Sequence, residues 1–385
     1  MTGRDIHDCV AFVGQDLIDL AEKASFAPNP WRRILPAAAL VAVMLGLGTA
    51  AFRFVQAPAP AVPEVSEPAA VEEAEFTPQQ LPVQEQPPAE EPNPLQRIFP
   101  QLDAASLDAY AQARPELSPD GWAQLQINEA GLEDNGTTLR TTQGDQVLAV
   151  DAENGILLVR VLGEDYRGVL AIVNDPTALS LQASSQLGVS GEPVGKIAEA
   201  HNGVLAINAS HFYDTTGGGN GGTLAGFALC DGTEFNSGLH MGEGYSRLEI
   251  DRDGHFTLLP SLSPVCDDAQ NAVESYPALI DGGEILAEEV RSFDGLHPRA
   301  CIGQTESSAV LLLVIEGRLP EYSTGASALE CAAILRRYGC ETAINLDGGT
   351  SAILWYDGEY VTRCSNQALP EGRTLPTAFV VGRAE

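Results

Sequence analysis

Residues 309–349 read AVLLLVIEGRLPEYSTGASALECAAILRRYGCETAINLDGG, and they contain the clearest supersecondary unit of the chain. The apolar run 309–315 is typical of a strand that is buried on both faces. Ser327 and Glu330 have the spacing of a capping box, which predicts the start of a helix, and Gly339 is well placed to end it. A second apolar strand, TAINL, follows. Strand, helix and strand in this order predict a right-handed parallel crossover.

Charged side chains directly follow both predicted strands. Glu316 and Arg318 come after the first strand, and Asp347, Gly348 and Gly349 come after the second. Since the carboxyl ends of parallel strands open onto one crevice, neighbouring strands about 4.8 Å apart would bring these groups together. Paired carboxylates suit acid/base cleavage at an anomeric carbon, and a planar guanidinium fits phosphate oxygens. The alternative is a local ion pair and a tight turn.

A second candidate segment follows a predicted strand at 204–207. This strand delivers Asn208 and Ser210 to its end, and His211 comes next as a candidate proton donor. The glycine run 217–222 either lets backbone N–H groups approach an anion or forms a plain loop.

The tripeptide His297-Pro298-Arg299 is the third candidate segment. Arg299 offers a second phosphate contact, and His297 offers a group that titrates near neutrality. The alternative is an extended segment that Pro298 fixes before the next strand.

A 19-residue uncharged run from Ile34 to Phe52 is just long enough to cross a bilayer. Arg32 and Arg33 precede the run, and after Arg53 no Lys or Arg occurs until residue 97. The positive-inside tendency therefore predicts a single-pass cell-membrane protein with a cytoplasmic N-terminus and an extracellular catalytic domain. A cleaved signal peptide is the alternative.

Charge and composition divide the chain along the same line. Residues 1–53 hold five basic and five acidic side chains, so the whole net charge of −32 lies after them. Such a domain repels nucleic acid, which is excluded as a partner. Residues 56–94 contain ten prolines and eight glutamates, a composition that predicts an extended stalk. The predicted segments are a cytoplasmic tail (1–33, with an amphipathic helix at 6–24), an anchor (34–53), a stalk (54–94), an extension (95–144) and one large domain (145–385).

Six of the seven cysteines lie after the predicted anchor, where disulfides can persist. We expect at least one disulfide, with a bridge among Cys331, Cys340 and Cys364 as the first choice. Unpaired buried thiols are the alternative.

Several segments together resemble the phosphodiester glycosidase family in order and spacing. They are AINASHFYDTTGGGNGGTLAGFALCDG, PALIDGGEIL, HPRACIGQ, VLLLVIEGR, AINLDGGTSAILWYDGEYVTRCSN and LPTAFVVG. The likeness spans residues 145–383, and its most specific element is NLDGG with the following Ser351. The chain departs from the family pattern at Glu316, where Asp is usual, at Thr350, where Ser is common, and at His211, where relatives often have Gly.

The resemblance implies an α+β fold, with a mixed central sheet flanked by helices, and hydrolysis of a sugar-1-phosphodiester in a cell-envelope glycan or exopolysaccharide. Arg318 and Arg299 would hold the phosphate, Asp347 and Glu316 would share acid, base or nucleophile roles, and Asn208, Asn345 and Ser351 would orient sugar hydroxyls. The predicted catalytic residues are Asp347, Glu316 and Arg318, and the predicted substrate-binding residues are Asn208, Ser210, His211, His297, Arg299, Asn345, Gly348, Gly349 and Ser351.

Two other functions stay open. One is a glycan-binding or envelope-assembly protein that keeps the pocket but does not cleave. The other is a metal-dependent phosphodiesterase, for which the hard oxygen ligands Asp214, Asp281, Glu316 and Asp347 suit Ca²⁺ or Mg²⁺. The glycosidase itself is expected to need no cofactor.

Overall fold

A computed structural model of the chain describes residues 93–113, 139–214, 218–236, 241–286, 290, 293 and 295–384. Strands make up more of this part than helices do. The helices are α1 Pro94–Ile98, α2 Ala104–Ala113, α3 Val194–Ala200 and α4 Ala328–Arg337. The strands are β1 Gln146–Asp151, β2 Ile156–Leu162, β3 Arg167–Val173, β4 Leu179–Ala183, β5 Gly203–Asn208, β6 Phe227–Cys230, β7 Thr233–Asn236, β8 Ser246–Asp251, β9 Phe256–Pro260, β10 Ala269–Ser275, β11 Ala278–Asp281, β12 Glu284–Ile285, β13 Arg299–Thr305, β14 Val310–Ile315, β15 Cys340–Asn345, β16 Leu354–Tyr356, β17 Glu359–Tyr360 and β18 Thr377–Gly382.

The strands form three sheets. An eight-stranded sheet has the order β1-β2-β3-β14-β13-β15-β11-β12, and two five-stranded sheets have the orders β7-β6-β10-β8-β9 and β17-β16-β5-β18-β4. Every pairing between these described strands is antiparallel. The predicted α+β fold with one mixed central sheet is therefore corrected to a mostly β fold with three antiparallel sheets.

The predicted crossover is half right. Strands β14 and β15 run in the same direction and α4 connects them, but β13 lies between them and pairs antiparallel with both. Arg299 at the start of β13 pairs with Ile315, and Cys301 pairs with Asn345. The carboxyl ends of β14 and β15 therefore share one edge of the sheet. They are two strand spacings apart, about 9–10 Å, rather than one.

Burial on both faces explains why antiparallel strands read as continuous apolar runs. Alternate residues of the eight-stranded sheet, such as Leu312 and Val314, pack into a core shared with both five-stranded sheets. Their neighbours Leu311 and Leu313 pack on the other face against the helices. Such runs are typical of parallel sheets because helices usually cover both faces there. Here a sheet layer covers one of the two faces.

Helix α4 has the predicted ends. The Ser327 side chain accepts a hydrogen bond from the Glu330 backbone N, and the Ser327 N donates to the Glu330 carboxylate, which completes the capping box. Gly339 follows the helix with φ +80°, a conformation that favours glycine. Cys331 and Leu335 lie on the buried face of the helix, which packs against the eight-stranded sheet.

None of the described helices is long and apolar enough to cross a bilayer. The predicted helix at 6–24, the anchor at 34–53 and all but the last two residues of the stalk lie outside the described residues. These assignments stay predictions. The extension joins the domain directly, since Leu95, Leu107 and Leu139 share a core with the eight-stranded sheet.

The predicted disulfide is not formed. All six cysteines of the described residues are free thiols. Cys331 and Cys340 lie in the core between the helices and the eight-stranded sheet, whereas Cys364 lies in a separate core around α3. Burial raises the pKa of Cys340 to about 12, so this thiol is protonated and unreactive at neutral pH.

Candidate active site

Three loops meet where the ends of β14 and β15 flank the start of β13. The Gly349 N donates to the Pro298 backbone O at 2.9 Å, which joins two of the loops. A Cβ atom at Gly317 would lie 2.7 Å from the Pro298 N, and one at Gly348 would lie 3.0 Å from the Pro298 O. The glycines thus allow the three backbones to pack at this edge.

Arg318 has an exposed side chain and a strained backbone. Its φ is +57°, in the left-handed region, which a non-glycine residue adopts at a cost of about 1–2 kcal/mol. The guanidinium lies against the next loop, since its Nη1 would be 3.4 Å from a Cβ atom at Gly349. No acidic partner for this guanidinium is recorded among the described residues. Strain and exposure together make Arg318 a candidate anion-binding residue.

Asp347 is held in place through its backbone. Its N donates to the Ala209 O at 3.2 Å, and its O accepts from the Asn208 Nδ2 at 2.6 Å. The carboxylate Oδ1 lies 3.3 Å from the His211 Nδ1, and the two side chains are 20% and 16% exposed, respectively. The carboxylate is therefore fixed in position and still reaches solvent.

His211 also contacts a residue that sequence analysis did not single out. Its Nε2 lies 2.9 Å from the Ser275 Oγ, and Ser275 is fully buried. His211 follows β5, Ser275 ends β10 and Asp347 follows β15, so each of the three sheets contributes one residue. The Ser275–His211–Asp347 bridge therefore lies where the sheets meet.

Glu316 does not converge with Asp347. Its side chain is buried, and its two oxygens accept hydrogen bonds from the Tyr322 hydroxyl at 2.9 Å and from the Arg363 backbone N at 2.6 Å. The Arg363 guanidinium lies 4.2 Å from the centroid of the Tyr322 ring. Burial raises the pKa of Glu316, although both hydrogen bonds and the charges of Arg160 and Arg363 act in the opposite direction. These contacts give Glu316 a structural role.

Arg299 is also buried, contrary to the expected phosphate contact. Its Nε donates to the Ala326 O at 3.1 Å, and its Nη2 donates to the Gly295 O at 2.9 Å. The guanidinium lies 4.5 Å from the centroid of the Phe293 ring. Arg299 therefore supports the loop before β13. The neighbouring His297 is exposed as a residue, but its imidazole is partly removed from water. This desolvation and the charges of Arg299 and Arg318 lower its pKa.

The polar residues expected to orient sugar hydroxyls mostly make contacts within the protein. The Asn345 Nδ2 donates to the Tyr276 O and the Leu346 O, and the Asn208 Oδ1 accepts from the Ile353 N. The Ser210 Oγ accepts from the Thr377 hydroxyl, and the buried Ser351 donates its N to the Gly348 O. Asn208, Asn345 and Ser351 thus support the Asp347 loop, whereas Ser210 contacts Thr377 at the start of β18.

Comparison with known proteins identifies the domain that holds this site. Residues 201–382 match the family model described as phosphodiester glycosidase. This part of the chain is a phosphodiester glycosidase domain. The match contains Asp347, Arg318, His211 and Ser275, so the geometry described above belongs to the glycosidase domain itself.

The similar proteins are distant. The SPbeta prophage-derived uncharacterized protein YomE of Bacillus subtilis (strain 168) is 26% identical over 204 residues, which are 50% of this chain and 29% of that protein. The chain thus spans less than a third of this relative. The catalytic domain of zebrafish N-acetylglucosamine-1-phosphodiester alpha-N-acetylglucosaminidase, auto-inhibited by its pro-peptide, has TM-score 0.49 and 20% identity, over 59% of this chain and 82% of that chain. A hypothetical protein from Synechocystis has TM-score 0.44 and 14% identity, over 63% and 65%.

The four carboxylates proposed as ligands for a hard cation do not form a cluster in the glycosidase domain. Asp214 forms an ion pair with Arg373 at 2.6 Å and accepts from the Gly219 N, so the described part of the glycine run closes on this carboxylate. Asp281 is exposed in the β11–β12 hairpin. Among the described residues, one trio has ligand atoms close enough for a metal ion, namely Asp251, Asp253 and His255 in the exposed β8–β9 hairpin.

Three residues of the candidate site were not predicted from the sequence, namely Ser275, Tyr322 and Arg363. Ser275 ends a strand and carries no motif, and its partner His211 is 64 positions away on another sheet. Tyr322 and Arg363 meet Glu316 through a turn and a hairpin. The one usable signal was Glu316 itself, because a buried carboxylate requires nearby donors.

Proposed function

We propose that the chain hydrolyses the glycosyl C–O bond of a sugar-1-phosphodiester in a cell-envelope glycan or exopolysaccharide. The observation that carries the proposal is the position of an exposed guanidinium, Arg318, over the loop of a fixed, accessible carboxylate, Asp347, in a phosphodiester glycosidase domain. The guanidinium suits the phosphate, and the carboxylate suits the anomeric carbon beside it.

Arg318 is assigned to the phosphate. A guanidinium is always charged and offers two parallel N–H donors to two phosphate oxygens. The side chain is exposed, so it reaches a ligand without breaking a recorded contact within the described residues. His297 lies close enough to Arg318 for the arginine charge to lower its pKa, so a neutral imidazole is available next to the same phosphate.

Asp347 is assigned to the sugar carbon as base or nucleophile. Its Oδ1 faces His211, so its Oδ2 is the oxygen that can face a substrate. A phosphate is a competent leaving group and needs less help from a general acid than an ordinary glycoside does. One carboxylate is therefore sufficient, which agrees with the burial of Glu316 among its donors.

The proposed location follows from the predicted anchor and stalk, which would hold the domain outside the cell membrane. The net charge of −32 favours a substrate that is held by local arginines rather than by the general field of the protein. An envelope glycan with widely spaced phosphodiesters meets this requirement, because each phosphate brings one charge to the site without the dense charge of a nucleic acid.

The test is cleavage of a sugar-1-phosphodiester by the full chain in ¹⁸O-labelled water. Sugar and phosphate monoester should form together, with the label on the sugar. Label on the phosphate would mean P–O cleavage and would replace the proposal by a phosphodiesterase. Binding of envelope polymers with no turnover of sugar-1-phosphodiesters would replace it by a glycan-binding protein.

A further inference from the structure

The Ser275–His211–Asp347 bridge contacts both ring nitrogens of the imidazole. His211 Nδ1 faces the Asp347 Oδ1 at 3.3 Å, and Nε2 faces the Ser275 Oγ at 2.9 Å. Both ring nitrogens are thus in contact, and the three residues come from three sheets. Such a bridge sets the orientation of the imidazole from both sides.

The chemistry of the three groups determines where the proton lies. An ionised carboxylate attracts a proton and repels a nitrogen lone pair, so its charge favours a proton on the nitrogen that lies 3.3 Å from it. A neutral His211 then has an acceptor at Nε2, and the Ser275 hydroxyl donates to it. If His211 becomes charged, Nε2 turns into a donor, and the same hydroxyl accepts. Ser275 therefore serves both charge states of the imidazole.

The order Asp, His, Ser resembles the arrangement that activates a serine nucleophile. Ser275 has 0% exposure, whereas a nucleophile must reach the substrate. The accessible end of the bridge is Asp347. Asp347 is therefore the end of the bridge that can meet a substrate, and Ser275 is the buried end.

We propose that Ser275 is a positioning residue for Asp347, which acts through His211 by keeping the imidazole in place with its proton on Nδ1. Its contribution to turnover rests on the proposed function. The contact keeps one carboxylate oxygen 3.3 Å from the imidazole and leaves the other available to a substrate. Loss of the hydroxyl would remove the hydrogen-bond partner of Nε2, so the ring would move and the carboxylate would lose its contact with Nδ1.

The test compares Ser275→Ala with a matched control, Ser261→Ala. Ser261 is also buried and donates its hydroxyl to Glu274, the neighbour of Ser275, and its recorded hydroxyl contact does not involve His211. Both variants lose one buried hydroxyl at the same sheet. A general loss of packing would therefore affect both variants, and a loss of positioning would affect Ser275→Ala alone.

The first measurement is ¹⁵N NMR of the full chain labelled at its six histidines, with a His211→Gln variant to assign the signal. The native protein should show His211 protonated at Nδ1 in either charge state, with Nε2 unprotonated when the imidazole is neutral. Ser275→Ala should reduce the population protonated at Nδ1, and Ser275→Thr, which keeps a hydroxyl, should restore it. A native imidazole protonated at Nε2 alone, or a Ser275→Ala spectrum identical to the native one, would overturn the proposal.

The second measurement is turnover of a sugar-1-phosphodiester. Ser275→Ala should lower kcat about 10-fold, which corresponds to about 1.4 kcal/mol, and should leave KM within about twofold. Ser261→Ala should leave both constants unchanged. An equal fall in kcat for both variants would overturn the positioning role. Failure of the native protein to cleave would remove the proposed function, whereas the NMR result would still decide whether Ser275 positions the imidazole.

Discussion

The two strand-end loops of the candidate site each carry a carboxylate, but they differ in what surrounds it. Asp347 is 20% exposed and faces one imidazole, whereas Glu316 is 1% exposed and accepts from a hydroxyl and a backbone N–H. The Asp347 carboxylate is thus accessible, and the Glu316 carboxylate is buried. Position at the end of a strand does not decide the role of a carboxylate, because burial and the number of donors do.

The difference arises from the neighbouring chain segments. The turn after β14 brings the Tyr322 hydroxyl over Glu316, and the segment after β17 brings the Arg363 N to its other oxygen. Asp347 has a shorter side chain, and its own backbone is held by Asn208 and Ala209. Neighbouring segments thus cover the Glu316 carboxylate. The end of β5 holds the Asp347 backbone and leaves its carboxylate accessible.

The largest expected effect distinguishes the loops by activity. Asp347→Asn preserves shape and keeps an acceptor oxygen for His211, but it removes the charge and the titratable proton. Turnover of a sugar-1-phosphodiester should fall by about 10² to 10⁴, in the range of a lost acid/base group. Steady-state kinetics measure the fall, and circular dichroism together with urea unfolding should show a nearly unchanged fold. A variant with native turnover would remove Asp347 from the mechanism.

The next effect distinguishes the loops by stability. Glu316→Ala removes the carboxylate that accepts from the Tyr322 hydroxyl and the Arg363 N, which should lower the free energy of unfolding by about 1–3 kcal/mol. Glu316→Gln keeps an acceptor oxygen and should lose less. Urea unfolding of the full chain measures both variants. Equal stability of the native protein and Glu316→Ala would contradict the structural role.

The same carboxyl gives a pH dependence with a defined sign. Burial raises the pKa of Glu316 in the folded protein. Its contribution to stability is then fully present below the unfolded value of about 4.3 and is lost as the pH rises through the higher folded value. The native protein should therefore lose stability relative to Glu316→Gln as the pH rises above about 4.3. Urea unfolding at several pH values checks this difference, and the opposite slope would contradict it.

Features that depend on local sequence patterns could be predicted, whereas those that depend on long-range contacts could not. The capping box of α4 and the shared edge of β14 and β15 follow from local patterns, and the structure confirms them. The insertion of β13 between those strands is a long-range event, and local patterns do not report it. The Arg363 donor of Glu316 and the Ser275 partner of His211 are 47 and 64 positions away, so local patterns do not predict them. Tyr322 is only six positions from Glu316, but it reaches the carboxylate through a turn that has no clear sequence signal.

A smaller effect tests the guanidinium of the accessible loop. Arg318→Lys keeps a positive charge but loses the fork, so binding of a sugar-1-phosphodiester should weaken about 10-fold. Arg318→Asn should weaken it further without loss of stability, because Asn tolerates the φ of +57° better than Arg does. KM and calorimetric binding measure the first change, and urea unfolding measures the second. Native affinity in Arg318→Lys would show that a point charge suffices.

The smallest effect uses the pKa of His297 to test which arginine lies close to it. Burial, Arg299 and Arg318 lower the pKa of His297, in that order, whereas Arg363 lies beside Tyr322 in the Glu316 loop. Arg318→Asn removes one like charge and should raise the pKa of His297, which should still stay below its ordinary value because burial and Arg299 remain. Arg363→Gln is the matched control and should leave this pKa unchanged. An NMR titration of the full chain measures both variants. If Arg363→Gln shifted the pKa of His297 as much as Arg318→Asn does, both arginines would lie close to His297. The distinction between an accessible Asp347 loop and a closed Glu316 loop would then fail.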